Sequence, residues 1–386
     1  MRKNHNIGLA YLYSATAYFG ITSLWVVYLG QRGLPLVLIG LCESIFHVAS
    51  FCFEVPSGVL ADRFGYKRVL IASRLAAAFS SVLMLLGNSF WWFAASFIIS
   101  AFSYNLQSGT LEAFVYESLP LATREASYAQ ATARVASITE ITSTLGVVLA
   151  GAMVHWHFAW TYWISVGLAL LMGFALLAAV DVGKRPREQR QTVRAIITTS
   201  LQVLRATPLL GKLMLVDAAM SAIATAYYYY FQHVMTARHF SGALVSGLML
   251  TGAVVNVVAV QLTPFLQRRF SKSQLVRGIC FVMTACLLLS YAHWLPGMLA
   301  MYLLIAGITA LLYPLFNIYY NALVPSGQRA TLLSVASLLF SLIMIALFPL
   351  MGWIITAIGF NLAFAGLGVV LLAGIVPTLR RLDIRE

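Results

Sequence analysis

Charge is what this sequence has least of. Asp, Glu, Lys and Arg make up 10% of its 386 residues and 61% are hydrophobic, where a soluble domain averages about 25% charged and about 45–50% apolar. So few charges cannot cover an aqueous surface, and a mean hydropathy of +0.85 asks for a bilayer as solvent. Acids are scarcer still, 12 against 25 Lys and Arg, for a net charge of +13. On a soluble chain that excess would suggest nucleic acid; the placement of the cations, given below, argues against it here. Cysteine is rare. Cys42, Cys52, Cys280 and Cys286 all lie in apolar runs, and the first two share one expected helix ten residues apart, too far to bridge. With no CxxC and no Cys/His cluster, neither a disulfide framework nor a metal centre is expected. The sequence has no GxxxxGK[ST], no HExxH and no GxSxG, which argues against ATP-driven transport, a zinc protease and a serine hydrolase. Short loops poor in His, Asp and Glu leave little from which to build an enzyme, and no cofactor is expected.

Apolar runs are what the chain has instead. Twelve can be drawn, at about 7–30, 36–60, 69–87, 90–118, 127–153, 157–180, 207–234, 241–266, 274–291, 295–323, 329–354 and 357–379. Each is long enough for a helical span of about 20 residues, and each is continuously apolar rather than alternating, which favours helices over a barrel. The first run, beginning at Ile7, is too long for a signal-peptide core of about 7–15 residues and reads as a retained span. The expected fold is therefore an all-α integral membrane protein with 12 transmembrane helices.

Lys and Arg orient it. With the N-terminus cytoplasmic, the inner side receives Arg2, Lys3, Arg63, Lys67, Arg68, Arg124, the Lys184–Arg194 cluster, Arg268, Arg269, Lys272, Arg329, Arg380, Arg381 and Arg385; the outer turns keep Arg32 and Arg238. This places both termini in the cytoplasm. The excess charge then reads as topology plus attraction to anionic inner-leaflet lipid. The one long polar stretch, 181–206, separates residues 1–180 from 207–386, six spans from six. Val193, Ile196, Ile197, Leu201 and Leu204 recur there at helical spacing, which predicts an amphipathic helix on the inner membrane face. The halves echo each other. "DRFGYKRVL" is answered by "RRFSKSQLV" about 206 residues later, and "ATREASYAQ" by "SGQRATLLS", as in a parallel repeat.

A cluster of charge stands out against this background. In "EVPSGVLADRFGYKRVL", Gly58-x-Leu60-Ala61-Asp62-Arg63-x-Gly65-x-Lys67-Arg68 resembles the loop signature between the second and third helices of the major facilitator superfamily, and the resemblance extends to the whole chain through its twelve spans and 6+6 symmetry. It implies two six-helix bundles around a midplane cavity that opens alternately to either side, and helices one, four, seven and ten as its lining. Within the family the chain resembles the 12-helix drug/proton antiporter-like members. Departures are Tyr66 where a basic residue is usual, Asn105 where those members tend to carry Arg in the fourth helix, and a fifth helix with Gly146 and Gly151 but no Gly-Pro. The residues themselves make physical sense of the loop. Gly58 lets helices approach closely, and Gly65 permits a tight turn with positive φ. Asp62 can face a helix N-terminus or a basic group, a switchable latch worth roughly 1–3 kcal/mol when partly desolvated. The resemblance suggests the eleventh helix as its partner. Arg63 or Lys67 is expected to pair with Glu117.

Ionisable groups inside spans are costly and functional by default. Glu43 and His47 are one turn apart on one helix, able to share a proton, and Glu54 falls near the same face. Glu140 and Asp217 should lie roughly 14–20 Å from the inner end of their helices. Each must be protonated, solvated or paired, so both are candidate coupling or substrate-binding carboxylates. Glu112 is a third, Arg134 a partner for Glu140 through a neighbour, and Arg74 is expected to snorkel inward. Tyr18, Ser221, Tyr228, Tyr313 and Asn317 are the expected cavity lining, on stripes that include Tyr11, Trp25 and Tyr320. Many other aromatics read as an interfacial belt. An aromatic lining with intramembrane acids and few deep cations favours hydrophobic or cationic organic solutes. The sequence thus predicts a monomeric secondary transporter of the inner or plasma membrane, with a small-molecule substrate, protons and lipids as partners, performing proton-coupled efflux of drug-like compounds. An importer or lipid translocator of the same fold is the alternative.

Overall fold

A computed structural model describes residues 2–182, 208–323 and 329–380, and every regular element among them is helical. The chain runs α1 (Arg2–Ala17), a 3-10 turn (Gly20–Thr22), α2 (Trp25–Gln31), α3 (Leu36–Phe64), α4 (Tyr66–Leu86), α5 (Phe90–Gln107), α6 (Thr110–Ser118), a 3-10 turn (Leu121–Thr123), α7 (Arg124–Met153), α8 (Trp160–Ala175) and a 3-10 turn (Leu176–Ala178). It continues through α9 (Pro208–Ala237), α10 (Gly242–Arg269), α11 (Lys272–Leu289), α12 (Leu295–Leu323), α13 (Arg329–Ile358) and α14 (Phe360–Arg380). Backbone groups that find no water in a bilayer bond within their own helix, which is why such apolar runs coil. The amphipathic helix expected within 181–206 falls almost wholly outside the described residues.

Twelve spans are expected; the described residues contain nine helices that are long and apolar enough by themselves, or ten if α1 and α2 form one span bent by 42°. The expected fourth run is divided into α5 and α6, and α5 turns polar at Tyr104, Asn105 and Gln107. The last run contributes a shorter apolar stretch, Phe360–Gly374. The all-helical membrane architecture stands, with fewer uninterrupted crossings among the described residues than the hydropathy suggests. Two compact units emerge: Met1–Leu34, Leu41–Arg190 and Phe240–Met249 form one, and Pro35–Gly40, Gln191–His239 and Leu250–Glu386 the other.

In the first unit, small polar residues set helix approach. Ser73 and Ser103 each donate to the other's backbone carbonyl, at 3.0 and 2.9 Å. One heptad along, Ser80 and Ser96 do the same, at 3.0 and 2.9 Å, so α4 and α5 lie against each other on a ladder of serines. Tyr13, Leu70, Phe114, Met172 and Leu176 fill the core where α1, α4, α6 and α8 meet. The bend of the first span is set by packing: a Cβ on Gly146 of α7 would lie 2.6 Å from the Ile21 nitrogen and collide with that of Gly20, and a Cβ on Gly20 would meet Ser143 and Val147. At the end of α3, Gly65 adopts φ 83°, the turn expected of it. In the second unit the run Tyr227–Tyr230 is largely structural. Tyr227 packs among Phe231, Phe360 and Phe364, and Tyr230 donates 2.6 Å to the Phe348 carbonyl.

Asn6 is completely buried. It donates to Ser118 Oγ at 3.2 Å and to the Val180 carbonyl at 3.0 Å, and accepts from the Val180 amide at 3.0 Å. One amide thus ties the start of α1 to the end of α6 and to the segment just past the 3-10 turn that follows α8. Asn6→Leu should leave those groups unpaired and cost about 1–3 kcal/mol. A thiol-reactive dye reports unfolding through Cys42, Cys280 and Cys286, which are buried; an unshifted midpoint would show that the tie contributes nothing.

The repeat is visible in two corresponding short turns. Arg32 donates to the Gly87 carbonyl at 3.4 Å, to Leu85 at 3.2 Å and to Tyr28 Oη at 2.7 Å. In the second unit Arg238 donates to the His293 carbonyl at 3.0 Å. Donor and acceptor both recur at an offset of 206 residues, the offset of the "RF" echo. Arg32 and Arg238 are therefore straps on helix ends.

Candidate functional site

The charged loop is tied to a distant part of the first unit. Lys67 caps the end of α8, donating to the Leu177 and Ala179 carbonyls at 2.7 Å each. Glu117 does not pair with Arg63 or Lys67 as expected. Its partner is Arg124, 3.1 Å away across the short turn between α6 and α7, and Arg124 also lies over the Tyr116 ring at 5.0 Å. A cation seven residues away across a tight turn needs no long-range contact to find the acid. Asp62, Arg63 and Arg68 are exposed, and Gly58 lies in the last two turns of α3.

Two expected acid sites take shape. On α3, His47 Nε2 lies 3.6 Å from Glu43 Oε1, with about one-tenth of either side chain exposed, and the His47 ring meets Phe46 edge-on at 5.6 Å. Glu54, exposed near the other end of α3, is not in this pair. On α9, Asp217 Oδ2 accepts from Tyr320 Oη at 2.8 Å and Oδ1 from Ser221 Oγ at 3.4 Å. Both donors are neutral hydroxyls, and among the described residues no cation pairs with this carboxylate. Tyr228, expected in the cavity lining with Ser221, stacks on Tyr302 at 6.1 Å. Tyr313 and Asn317 lie on α12, but their side chains fall outside the described residues. Glu140 is exposed on α7, as is Arg134, and no ion pair joins them.

Sequence reasoning missed a polar cluster in the first unit. Arg74 does not snorkel: it is 4% exposed, because partners inside the bundle hold it. Its Nη2 donates to Gln107 Oε1 at 2.5 Å and to Ser73 Oγ at 3.2 Å, and its guanidinium lies 4.7 Å from the centre of the Tyr13 ring. Tyr13 Oη is also 3.1 Å from Gln107 Oε1 and from Ser73 Oγ. Gln107 is the last residue of α5. After it the chain turns through Ser108 and Gly109, the latter at φ 72°, and restarts as α6. Glu112, in the first turn of α6, is exposed and within electrostatic reach of Tyr13, Tyr18 and Tyr104. Tyr18 stands at the break between α1 and its 3-10 turn. Interrupted spans with polar side chains at the interruption are a recurrent way of building solute sites in membranes. The signal in the sequence was "YNLQSG", an amide and a Ser-Gly pair inside an apolar run.

The profile of the Major Facilitator Superfamily matches residues 7–341. Similar proteins include the uncharacterized MFS-type transporter YxaM of Bacillus subtilis (strain 168), 34% identical over 116 residues, 28% of this chain and 28% of that one. The inner membrane transport protein YajR of Escherichia coli (strain K12) is 27% identical over 152 residues, 39% of this chain and 30% of that one. These alignments span less than a third of either relative's length. Among solved structures the fold is shared with the nucleoside transporter NupG, at TM-score 0.74 and 14% identity over 99% of both chains. It is also shared with a D-xylose-proton symporter, at TM-score 0.63 and 15% identity over 98% of this chain and 96% of that one.

Proposed function

This chain belongs to the Major Facilitator Superfamily, and on that basis we propose that it is a secondary active transporter, carrying a small organic solute by alternating access of two six-helix lobes and driven by protons. It is an integral membrane protein. The observation that carries proton coupling is Asp217: an acid within a span whose partners among the described residues are the Tyr320 and Ser221 hydroxyls. Such a group accepts a proton or a cation and has no structural charge to neutralise. The Glu43–His47 pair supplies a second exchange point. In this reading Asp62 latches the cytoplasmic side and both chain ends face the cytoplasm of an inner or plasma membrane. The carrier works as a monomer, with anionic lipid around its basic inner face.

Efflux of hydrophobic or cationic drug-like compounds is the expected direction, with an importer or a lipid or metabolite translocator of the same fold as the alternative. The cationic option is the weaker half: it leaned on a scarcity of deep cations, and Arg74 is one.

Reconstituted vesicles with an imposed pH gradient test the reading. A panel of organic solutes should contain one whose accumulation follows the sign of the gradient, which also gives the direction of transport. No gradient-dependent flux for any solute, with exchange flux intact, would sink proton coupling. Glu43→Gln should cut coupled flux within the roughly 5–150-fold range of typical coupling energies while leaving exchange of solute for solute in place.

A further inference from the structure

We propose that the uncommitted part of the Arg74 guanidinium is where this protein holds an anionic group, a carboxylate or phosphate, of the solute it carries; the proposal rests on the transport reading above.

Arginine presents five N–H donors and no acceptor. The hydrogen bonds of Arg74 engage Nη2 alone, through Gln107 and Ser73. Nε is buried without a partner, and among the described residues Nη1 makes no hydrogen bond. Every group that holds Arg74 is neutral: the Tyr13 ring, the Gln107 amide and the Ser73 hydroxyl. Glu112 makes no ion pair with it. A buried guanidinium fixed on one side by neutral acceptors, with no hydrogen bond on the other among the described residues, is poorly explained as a support. Neutral donors and acceptors would tie α1, α4 and α5 together as well, without the cost of desolvating a charge.

The surroundings favour an oxyanion. The backbone next to Gln107 breaks at Ser108 and Gly109 and begins α6, a nine-residue helix whose N-terminal end carries the positive end of its dipole. Tyr13 and Gln107 prevent the guanidinium from rotating away, so its fork keeps a fixed aim, the property that suits arginine to carboxylates and phosphates. Tyr18 and Tyr104 stand within electrostatic reach of the same cluster and offer ring faces to an organic body. Glu112 is the acid on the approach, and it would disfavour multiply charged anions unless the solute also carries an ammonium group.

The test uses the purified full-length protein and simple probes at matched ionic strength: benzoate, phenyl phosphate, benzamide and benzylammonium. Benzoate or phenyl phosphate should raise the unfolding temperature where benzamide and benzylammonium do not, and the stronger of the two identifies which oxyanion the site prefers. In Arg74→Gln the apparent affinity for that anion should fall about ten- to hundredfold; Arg74→Lys should recover part of it. The proposal fails if the wild-type protein shows no anion-specific rise, or if both variants keep it. Phenylglyoxal labelling of Arg74 in the wild-type protein covers the case of a variant that does not fold: benzoate should protect, benzamide should not, and absent protection overturns the site. Counterflow separates the two readings. Anion binding at Arg74 without any solute exchange sinks the carrier reading alone, whereas coupled flux of a solute indifferent to Arg74→Gln sinks the site alone.

Discussion

Asp217→Asn is expected to leave the protein folded and to cut accumulation driven by a pH gradient severely. Asparagine has nearly the shape of aspartate. Its carbonyl oxygen still accepts from Tyr320 Oη, and its amide can donate to the Ser221 hydroxyl, so the bonds that hold the side chain between α9 and α12 survive in altered form. What disappears is the capacity to take up and release a proton. A transporter that spends about 1–3 kcal/mol of coupling at one site loses roughly 5–150-fold in gradient response when that site is silenced. Solute-for-solute exchange, which needs no net proton movement, should persist. Tyr320→Phe is the graded companion: it removes one hydroxyl and keeps the acid, so it should weaken coupling less than Asp217→Asn. The measurement is paired counterflow and gradient-driven uptake in the same vesicles. Equal loss of both in Asp217→Asn would mean that the residue serves the solute or the fold, and normal gradient-driven uptake would remove it from the mechanism.

The second large effect concerns folding. Gly146→Val should destabilise the protein by about 3 kcal/mol or more, since overpacking a tight contact costs that much when nothing can move aside. The obstacle is backbone: the nitrogens of Gly20 and Ile21 stand where the new Cβ would go. A flexible side chain could rotate out of the way, but a main chain already bent by 42° between α1 and α2 cannot without straightening the first span. Gly146→Ala should show the same direction with a smaller size, and Gly167→Ala, where nothing lies within 4 Å of a new Cβ, serves as control. The readout is the unfolding midpoint followed by dye attachment to the buried cysteines. A Gly146→Val protein as stable as the control would mean that the bend is not held by this contact.

These cases show what the sequence discloses and what it withholds. Long apolar runs announce helices because the bilayer leaves no other choice for the backbone. They do not announce interruptions, since the breaks near Gly20 and Gly109 depend on another helix's glycine and on one positive φ. Glu43 with His47 was legible as a pair because the two lie one turn apart on a single helix, and Asp217 meets Ser221 at the same spacing. Tyr320 was visible only as one member of a stripe, because its bond to Asp217 spans 103 residues. Arg74 was misjudged for a related reason. Whether a cation reaches outward or stays inside depends on what waits within, and Gln107 is 33 residues away on another element.

The twin straps at Arg32 and Arg238 carry one more implication. If an offset of 206 residues superimposes the halves down to individual carbonyl acceptors, it also says which positions correspond elsewhere. Arg74 then falls on Cys280, and Asp217 on Tyr11. A duplicated framework has been dressed unequally, with a guanidinium opposite a thiol in one register and a carboxylate opposite a phenol in the other. The shared register accounts for the matching straps, and the residues that differ at corresponding positions give each half its own polarity.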